Sequence, residues 1–465
     1  MTDEKDSKLL SRRGLLRGAS VGAAALAFPT LWLPRTAYAQ TSGHGSIRHL
    51  IYIRLGGGFR FTCAFNGAVD DRFNPFGRST AVAAGTEWGA SRLLERASWL
   101  EGEENEPRRA LGMQRVTDFT HEMCVLPCVD HEPFSVRADG GHGTGLERFL
   151  TGYVGGATSI LTLLNYGLRG RVPPEGSVLL PAFSLGESGM SAGVGPYAVH
   201  RAPVLEGNSF DRFAFDAAAS LPEWASKMAD GLDARMRQRL NASLRGRVEA
   251  YQQTRTATKE YARIFNDPLL KVANRATDVV DGISNRDLET IFGTDTTGRR
   301  AALALRLFHF GCPAVFFNQG GYDFHSDEEM NLPAEMDEAN RLLSGLNWTL
   351  KRMAHPEGGT YWEKTLVVLG SEFGRTTGTG RFNSAGGSDH SSDFATRWMS
   401  MPMMGGPIVA AGKGGKSLGS TRPSDLKAEG RVYSYRSVMK TLMDMLGADH
   451  SGFFPADAPF EDLFV

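Results

Sequence analysis

Five acidic or imidazole side chains follow two short apolar segments of the chain, residues 312–318 and 366–369. Both segments have the composition and length of strands that are buried on both faces of a parallel sheet. Because open α/β sheets place their ligands beyond the carboxyl ends of their strands, we expect two neighbouring strands whose loops meet. Carboxylates combined with imidazoles are suitable ligands for Zn, Mn or Fe. The sequence therefore predicts a divalent metal site formed by Asp323, His325, Glu372, Asp389 and His390.

A glycine-rich segment, residues 139–152, changes from glycines to helix-spaced apolar residues and predicts a loop that leads into a helix. His142 and Thr144 would lie near the N-terminus of this helix. That position favours anions, because the first backbone N–H groups of a helix are unpaired and its dipole is positive there. The alternative for His142 is an ordinary loop histidine.

Arg375 follows the second of the two predicted strands and lies close to Glu372 in sequence. Its planar guanidinium would suit an anionic ester oxygen, which it would bind through a bidentate fork of N–H groups. A structural ion pair with Glu372 or Asp389 is the alternative, and the sequence leaves both roles open.

The composition is that of a folded globular protein, with 22% charged and 41% apolar residues among 465. The chain has 51 basic and 52 acidic side chains, so its net charge is -1. This balance provides no signal for nucleic acid or for an anionic membrane surface. We therefore predict no nucleic-acid partner.

Four cysteines are present, and only two of them are closely spaced, so the second pair that a zinc cluster of cysteines needs is missing. We predict that all four are structural, either buried as thiols or paired in disulfides. Four thiols allow three pairings. They are Cys63, Cys124, Cys128 and Cys312.

Residues 1–39 have the pattern of a twin-arginine signal peptide. Arg12 and Arg13 precede an apolar stretch at 18–33, and small residues up to Ala39 form a cleavage site. The alternative is a membrane-anchoring helix, but prolines interrupt the stretch and its uninterrupted part is short. We predict export by the twin-arginine machinery, a periplasmic or secreted protein, and no membrane span after processing.

The alternation of predicted strands and helices indicates an α/β protein with a doubly wound, mostly parallel sheet in one domain, residues 40–465. A charged helical block at 217–276 is placed in an insertion or cap at about 210–285. Its arginines are interpreted as a solvated face, with an RNA or membrane surface as the alternative. The strands are predicted at 48–55, 123–127, 178–184, 312–318 and 366–369, and the helices at 299–310, 335–354 and 433–446.

Three blocks of the sequence together resemble a secreted bacterial family known as domain of unknown function 1501. The blocks are Gly-Gly-Tyr-Asp-Phe-His at 320–325, Ser-Glu-Phe-Gly-Arg-Thr at 371–376 and Gly-Gly-Ser-Asp-His at 386–390. The family is distantly similar to the alkaline phosphatase and sulfatase superfamily. This resemblance implies a doubly wound sheet of alkaline-phosphatase-like type and a site for two metal ions.

The site residues match that superfamily in part. Asp323 and His325 stand where it has an Asp/His pair of metal ligands after a strand. Glu372 stands where it has the Asp of an Asp-His pair, and Phe373 replaces the His. Residues 389–390 occupy the later loop that supplies a further His ligand.

Two positions depart from the superfamily. Gly56 follows the first strand, where the resemblance implies a metal-binding Asp, and His142 occupies the position of the Ser, Thr or Cys nucleophile. Thr144 is the nearest hydroxyl. Two-metal chemistry needs ligands for both ions and an activated nucleophile. The five predicted ligands suffice for one metal ion, whereas a second ion loses its Asp ligand. Histidine can itself act as a covalent nucleophile or a general acid.

The first hypothesis is an exported metal-dependent hydrolase whose partner is a small anionic phosphate or sulfate ester. Its nucleophile would be His142, Thr144 or a metal-bound water, and Arg375 would be its anion clamp. The second hypothesis is a periplasmic binding or scaffold protein that has the same fold but a catalytically degenerate site. A redox enzyme with a larger cofactor is a third, but no haem motif or dinucleotide fingerprint supports it.

Overall fold

The fold is described from a computed structural model of the whole chain. The predicted signal peptide, residues 1–39, lies outside the described residues, as do residues 217–222, 240–259 and 275–276 of the predicted helical block at 217–276. The structure describes residues 45–130, 141–171, 179–212, 223–239, 260–274, 279–280, 282–375, 381–390 and 398–463.

The described residues form one large sheet of eight strands and two small two-stranded sheets. The strands are β1 His49–Leu55, β2 Met123–Asp130, β3 Phe183–Leu185, β4 Val204–Leu205, β5 Val279–Val280, β6 Ile283–Ser284, β7 Ala314–Gln319, β8 Thr365–Gly370, β9 Trp398–Met404, β10 Ser420–Thr421, β11 Ala428–Glu429 and β12 Tyr433–Ser434. The order in the large sheet is β12-β2-β9-β8-β1-β7-β3-β4. Its strands are parallel except for β9, which is antiparallel to both of its neighbours.

The mostly parallel sheet and its strands at 48–55, 123–127, 312–318 and 366–369 confirm the sequence prediction, with bounds shifted by a few residues. The predicted strand at 178–184 overlaps β3, and Val178 lies outside the described residues. The prediction that β7 and β8 are neighbours is wrong. β1 lies between them, since Leu50 is paired with both Ala314 and Leu366. Order along the chain does not set order in the sheet, because helical crossovers let a later strand add to either edge.

Helices cover both faces of the sheet, as side chains on β1 show. His49 and Tyr52 point to opposite faces, because successive side chains of a strand alternate and these two are an odd number of positions apart. Tyr52 stacks on Phe149 on one face, and His49 stacks on Phe308 on the other. The sheet is therefore wound on both sides, and its central strands are buried.

The described helices agree with most of the predicted ones, and none of them is long and apolar enough to cross a bilayer. The predicted helix at 433–446 begins two residues later, because Tyr433 and Ser434 pair with β2 as a strand. The α-helices with complete bounds are α1 Glu106–Ala110, α2 His142–Thr151, α3 Ile160–Gly167, α4 Ser209–Arg212, α5 Glu223–Arg239, α6 Asn285–Phe292, α7 Thr296–His309, α8 Glu328–Leu350, α9 Tyr361–Lys364, α10 Gly406–Ala410 and α11 Tyr435–Met445.

All four cysteines are buried free thiols, so the structure selects one of the two predicted alternatives. Cys63 lies with its sulfur 3.7 Å from the Phe73 carbonyl oxygen, and the Cys312 sulfur lies 3.3 Å from the Pro181 carbonyl oxygen. They act as small apolar core residues with weak S–H donors.

Candidate metal centre

The segments that follow β1, β7 and β8 leave the sheet at the same edge. The three strands are parallel and adjacent, and their last residues are in register: Leu55 is paired with Gln319, and Arg54 with Gly370. The carboxyl ends of such strands must open together, so the glycine loop after β1 meets the loops that carry the predicted ligands. The backbone joins them directly, since Gly56 O accepts a 2.7 Å hydrogen bond from Tyr322 N–H.

Four side chains converge at this edge, and each brings one ligand atom to within 4.8 Å of the others. Three of them, Asp323, His325 and His390, are among the five predicted ligands. The fourth, His142, was predicted to be catalytic. We call His142, Asp323, His325 and His390 the four-residue group.

The ligand atoms in the group are closely spaced. Nε2 of His142 lies 3.2 Å from Oδ2, and Nε2 of His325 lies 3.1 Å from Oδ1. Nε2 of His390 lies 3.0 Å from Nε2 of His325. Four donors around Zn²⁺ at bond lengths of about 2.0–2.1 Å would be roughly 3.3 Å apart in a tetrahedron. These three separations are close to that value, and all four ligand atoms lie within 4.8 Å of one another, so the group is compact enough to hold a single small cation.

His142 reaches the group because it is the first residue of α2, a helix whose N-terminus faces the loop after β8. A Cβ on Gly145 would lie 2.8 Å from a ring atom of Phe373, so glycine lets the helix approach that loop closely. The helix ends at Gly152, whose φ of 84° is the left-handed conformation that glycine favours. The sequence prediction of a loop leading into a helix at 139–152 is confirmed over the described residues.

Nε2 of His142 is buried and makes no hydrogen bond within the described part of the chain, although Asp323 lies beside it. A buried ring nitrogen without a hydrogen bond destabilises the folded protein, unless another partner binds it. Imidazole nitrogens and a carboxylate are borderline to hard donors, which suits Zn, Mn or Fe. The residues present therefore fit a divalent cation.

Glu372 and Asp389, the other two predicted ligands, lie next to the four-residue group but are not members of it. Oε1 of Glu372 lies 3.8 Å from Nδ1 of His142, and Oδ1 of Asp389 lies 3.2 Å from Nδ1 of His325. Each carboxylate thus contacts the far side of a histidine ring.

Arg375 is buried beneath the group, and its side chain has no exposed area. Nη1 donates to the Gly57 carbonyl oxygen at 3.0 Å and to Oδ1 of Asp323 at 2.7 Å. Nε and Nη2 donate to the hydroxyl and carbonyl oxygens of Ser388. Its ion-pair partner is Asp323, whereas the sequence suggested Glu372 or Asp389. An anion in solvent does not reach a guanidinium that is enclosed in this way.

The pKa of Asp323 is below its ordinary value. Partial burial of the carboxyl raises this pKa, but the hydrogen bond and charge of Arg375, with His142 and His325 nearby, outweigh it and favour the carboxylate. Asp323 is 46% exposed on its other side, so the group is open to solvent there.

Phe373 forms the apolar wall of the site, a role that the sequence analysis did not assign. Its ring stacks on His390 at a centroid distance of 4.7 Å, and it lies 5.2 Å from the ring of His142. The available signal was the sequence resemblance described above, which implies a histidine at the position of Phe373. Thr144, by contrast, directs its hydroxyl to Gly141 O at 3.2 Å.

The fold and the four-residue group together define an α/β protein with a candidate divalent-metal centre at the carboxyl edge of its sheet. The chain belongs to the family described as "Protein of unknown function (DUF1501)", whose profile matches residues 70–460. No curated protein and no solved structure matches this chain. The match to the family profile confirms the membership that the three sequence blocks suggested.

Proposed function

We propose that this protein is an exported, metal-dependent hydrolase of phosphate or sulfate esters. The observation that carries the proposal is the convergence of His142, Asp323, His325 and His390 on one small volume at the carboxyl edge of the sheet. The resemblance of its sequence blocks to a family distantly similar to alkaline phosphatases and sulfatases supports the substrate class. Export to the periplasm or beyond rests on the twin-arginine pattern at residues 1–39.

A Zn, Mn or Fe ion held by the four-residue group would act as a Lewis acid on an ester oxygen and lower the pKa of a bound water. Arg375 keeps the Asp323 carboxylate in one orientation from below, through the 2.7 Å hydrogen bond. Phe373 limits the access of water on the side of His390 and His142. These two residues thus preorganise the site.

An anionic ester would approach from the solvent side, where Asp323 and His325 are about half exposed, at 46% and 50%. The N-terminus of α2 lies at this point because His142 is its first residue, and its positive dipole end favours an anion. We assign Arg375 to positioning, since its buried side chain has no exposed area for substrate. His142 serves as a ligand in this proposal, and not as the nucleophile.

A catalytically degenerate binding or scaffold protein on the same fold is the second candidate. It is favoured by Gly56, which stands where the superfamily has a further acidic ligand, and by His142 in place of a hydroxyl or thiol nucleophile. Thr144, the nearest hydroxyl in sequence, is bonded to Gly141 O. Metal binding without turnover would be the expected behaviour of such a protein.

The test uses the full exported protein, purified after processing and loaded separately with Zn, Mn or Fe. Bound metal is measured per chain, and hydrolysis is followed with an aryl phosphate and an aryl sulfate. His325→Ala and His390→Ala are expected to lose both bound metal and turnover, because each removes one donor from the group. His121→Ala, at an exposed histidine outside the group, is the matched control.

Turnover that depends on metal and is lost in both histidine variants would support the hydrolase. Stoichiometric metal without turnover of either ester would favour the degenerate protein. Absence of bound metal from the unaltered protein after loading would contradict both the metal centre and the hydrolase.

A further inference from the structure

Two carboxylates stand just outside the four-residue group, each next to the ring nitrogen that faces away from its centre. Oδ1 of Asp389 lies 3.2 Å from Nδ1 of His325, and Oε1 of Glu372 lies 3.8 Å from Nδ1 of His142. The opposite nitrogens, Nε2 of both rings, lie 3.1 and 3.2 Å from the oxygens of Asp323. Each of the two rings is therefore placed between an outer carboxylate and the common centre.

We propose that Glu372 and Asp389 are positioning residues, which hold the rings of His142 and His325 and do not themselves bind the cation. This inference rests on the metal binding proposed above. A neutral imidazole has one N–H and one lone pair, so an Nδ1–H directed at a carboxylate leaves the Nε2 lone pair facing the centre. Such outer carboxylates fix the orientation of a ligating ring and raise its basicity.

The carboxylate of Glu372 has polar neighbours at both oxygens and is only 4% exposed. Oε1 accepts a 2.7 Å hydrogen bond from Gly57 N–H, and Oε2 lies 3.2 Å from the Ser371 hydroxyl. Nε of Arg54 lies 3.9 Å from Oε2 and supplies a nearby positive charge. Turning toward the cation would cost Glu372 these partners in a buried setting, where an unpaired carboxylate is expensive.

The contact between Glu372 and His142 is longer than a hydrogen bond, whereas the nitrogen on the other side of that ring is buried without one. We expect the contact between Glu372 and His142 to shorten when Nε2 of His142 gains a partner. When Nε2 of His142 is ligated, its Nδ1–H becomes a stronger donor, and the ring approaches the fixed carboxylate.

Asp389 holds its histidine from a more exposed position, with 51% of its side chain accessible. Its loop is joined to the segment of His325 by two hydrogen bonds, from Ser388 N–H to Phe324 O and from the Asn383 side chain to His325 O. These bonds fix the distance between Asp389 and the ring. Because water competes for an exposed carboxylate, we expect Asp389 to contribute less than Glu372.

The experiment compares Glu372→Gln and Asp389→Asn with His142→Ala and His325→Ala in the full exported protein. Dissociation constants for Zn²⁺ are measured by competition with a chelator, and Co²⁺ is used to record the absorption bands of the bound ion. Circular dichroism confirms folding of each variant. Gln and Asn keep the shape of the side chain and remove its charge, so the variants are expected to fold.

Glu372→Gln and Asp389→Asn are expected to retain one ion per chain, with the Co²⁺ band positions of the unaltered protein. Their dissociation constants should rise about 10–100-fold, as loss of an outer carboxylate does elsewhere, and more for Glu372→Gln. The two His→Ala variants should bind more weakly still and change the Co²⁺ bands, because they remove a donor atom.

Two results would overturn the inference and leave the hydrolase standing. One is a folded Glu372→Gln or Asp389→Asn protein whose Co²⁺ bands change as in the His→Ala variants, which would make that carboxylate a ligand. The other is an unchanged dissociation constant in both carboxylate variants. Conversely, the expected pattern of affinities in a protein that cleaves neither ester would support the positioning role and contradict the hydrolase.

Discussion

Nη1 of Arg375 donates a 2.7 Å hydrogen bond to Oδ1 of Asp323, and the two side chains differ sharply in exposure. The arginine has no exposed side-chain area, whereas the aspartate is 46% exposed. The same guanidinium also bonds to backbone or side-chain oxygens of Gly57 and Ser388. The buried guanidinium of Arg375 thus joins three segments of the chain and holds the accessible carboxylate of Asp323 in place.

The first prediction concerns this buried arginine. Arg375→Ala should lower the free energy of unfolding by about 2–4 kcal/mol, because it removes the donor to the carbonyl oxygens of Gly57 and Ser388 and to Oδ1 of Asp323. Urea denaturation measures the change. Arg263→Ala, which removes an exposed helical ion pair with Glu260, should change stability by no more than about 0.5 kcal/mol. Unaltered stability with selectively lost turnover would indicate a substrate clamp instead.

The second prediction concerns the glycine loop after β1. Gly58 has a φ of +78°, and a Cβ there would lie 2.0 Å from a ring carbon of Phe373. Gly58→Ala should therefore be destabilising through backbone strain and steric overlap, by about 2–4 kcal/mol in total. Thermal and urea unfolding would measure this loss.

Gly112 provides the control for Gly58, because its φ is +71° and a Cβ there would have no neighbour within 4 Å. Gly112→Ala should show the backbone strain alone, at about 1 kcal/mol. Equal losses at the two positions would show that the ring of Phe373 moves aside, and would contradict a rigid wall.

The third prediction concerns how stability depends on pH through a buried pair of histidines, His49 and His355, on the face of the sheet opposite Phe149. His49 lies with Nδ1 2.8 Å from Cys312 O and Nε2 3.1 Å from Nε2 of His355. Burial, followed by the charge of His355, lowers the pKa of His49 to about 3, although the bond to the Cys312 carbonyl opposes this. Burial also lowers the pKa of His355. Both rings are therefore neutral in the folded protein at pH 7.

Because His49 takes up a proton more readily when unfolded, near pH 6.5, than when folded, the stability it contributes is complete above that pH. It is lost as the pH falls through the window from 6.5 toward 3. At pH 5 the loss from this residue should be on the order of 2 kcal/mol. Urea unfolding from pH 7 to pH 5 measures it. His49→Asn should flatten the slope and His121→Asn should not, so equal slopes in all three proteins would refute the assignment.

The fourth prediction concerns the thiols. Burial raises the pKa of Cys63, Cys124 and Cys128 to about 12, and that of Cys312 further still. Because the thiolate is the reactive form, the folded protein should react with a thiol reagent only at its unfolding rate. In denaturant all four should react. Thr80→Cys would place a thiol at an exposed position as a positive control for labelling. Rapid labelling of the folded, unaltered protein would contradict the burial of its thiols.

Local sequence was sufficient for the strands that carry the site. The apolar run at 366–369 predicts a buried strand, and β8 is buried over its whole length. The glycine-rich start of 139–152 likewise predicts the helix that begins at His142. These predictions succeed because the burial of a strand and the start of a helix are each encoded in a few consecutive residues.

The roles of individual side chains were harder to predict. The sequence grouped Glu372 with Asp323 as ligands because both follow strands, yet the carboxylate of Glu372 lies against Gly57 N–H and the far side of His142. The position of Arg375 in the sequence does not decide whether its side chain faces solvent or is buried. The direction in which each side chain points depends on neighbours that are distant in sequence.

The sequence by itself determined a mostly parallel α/β fold, the membership of the family and the set of residues at the carboxyl edge. Only the tertiary structure decided that β1 separates β7 and β8, that His142 joins Asp323, His325 and His390, and that two carboxylates stand behind the rings. The reason is physical. Hydrophobic periodicity is a local property of the chain, whereas the convergence of four ligand atoms depends on packing between segments more than 200 residues apart, such as those of His142 and His390.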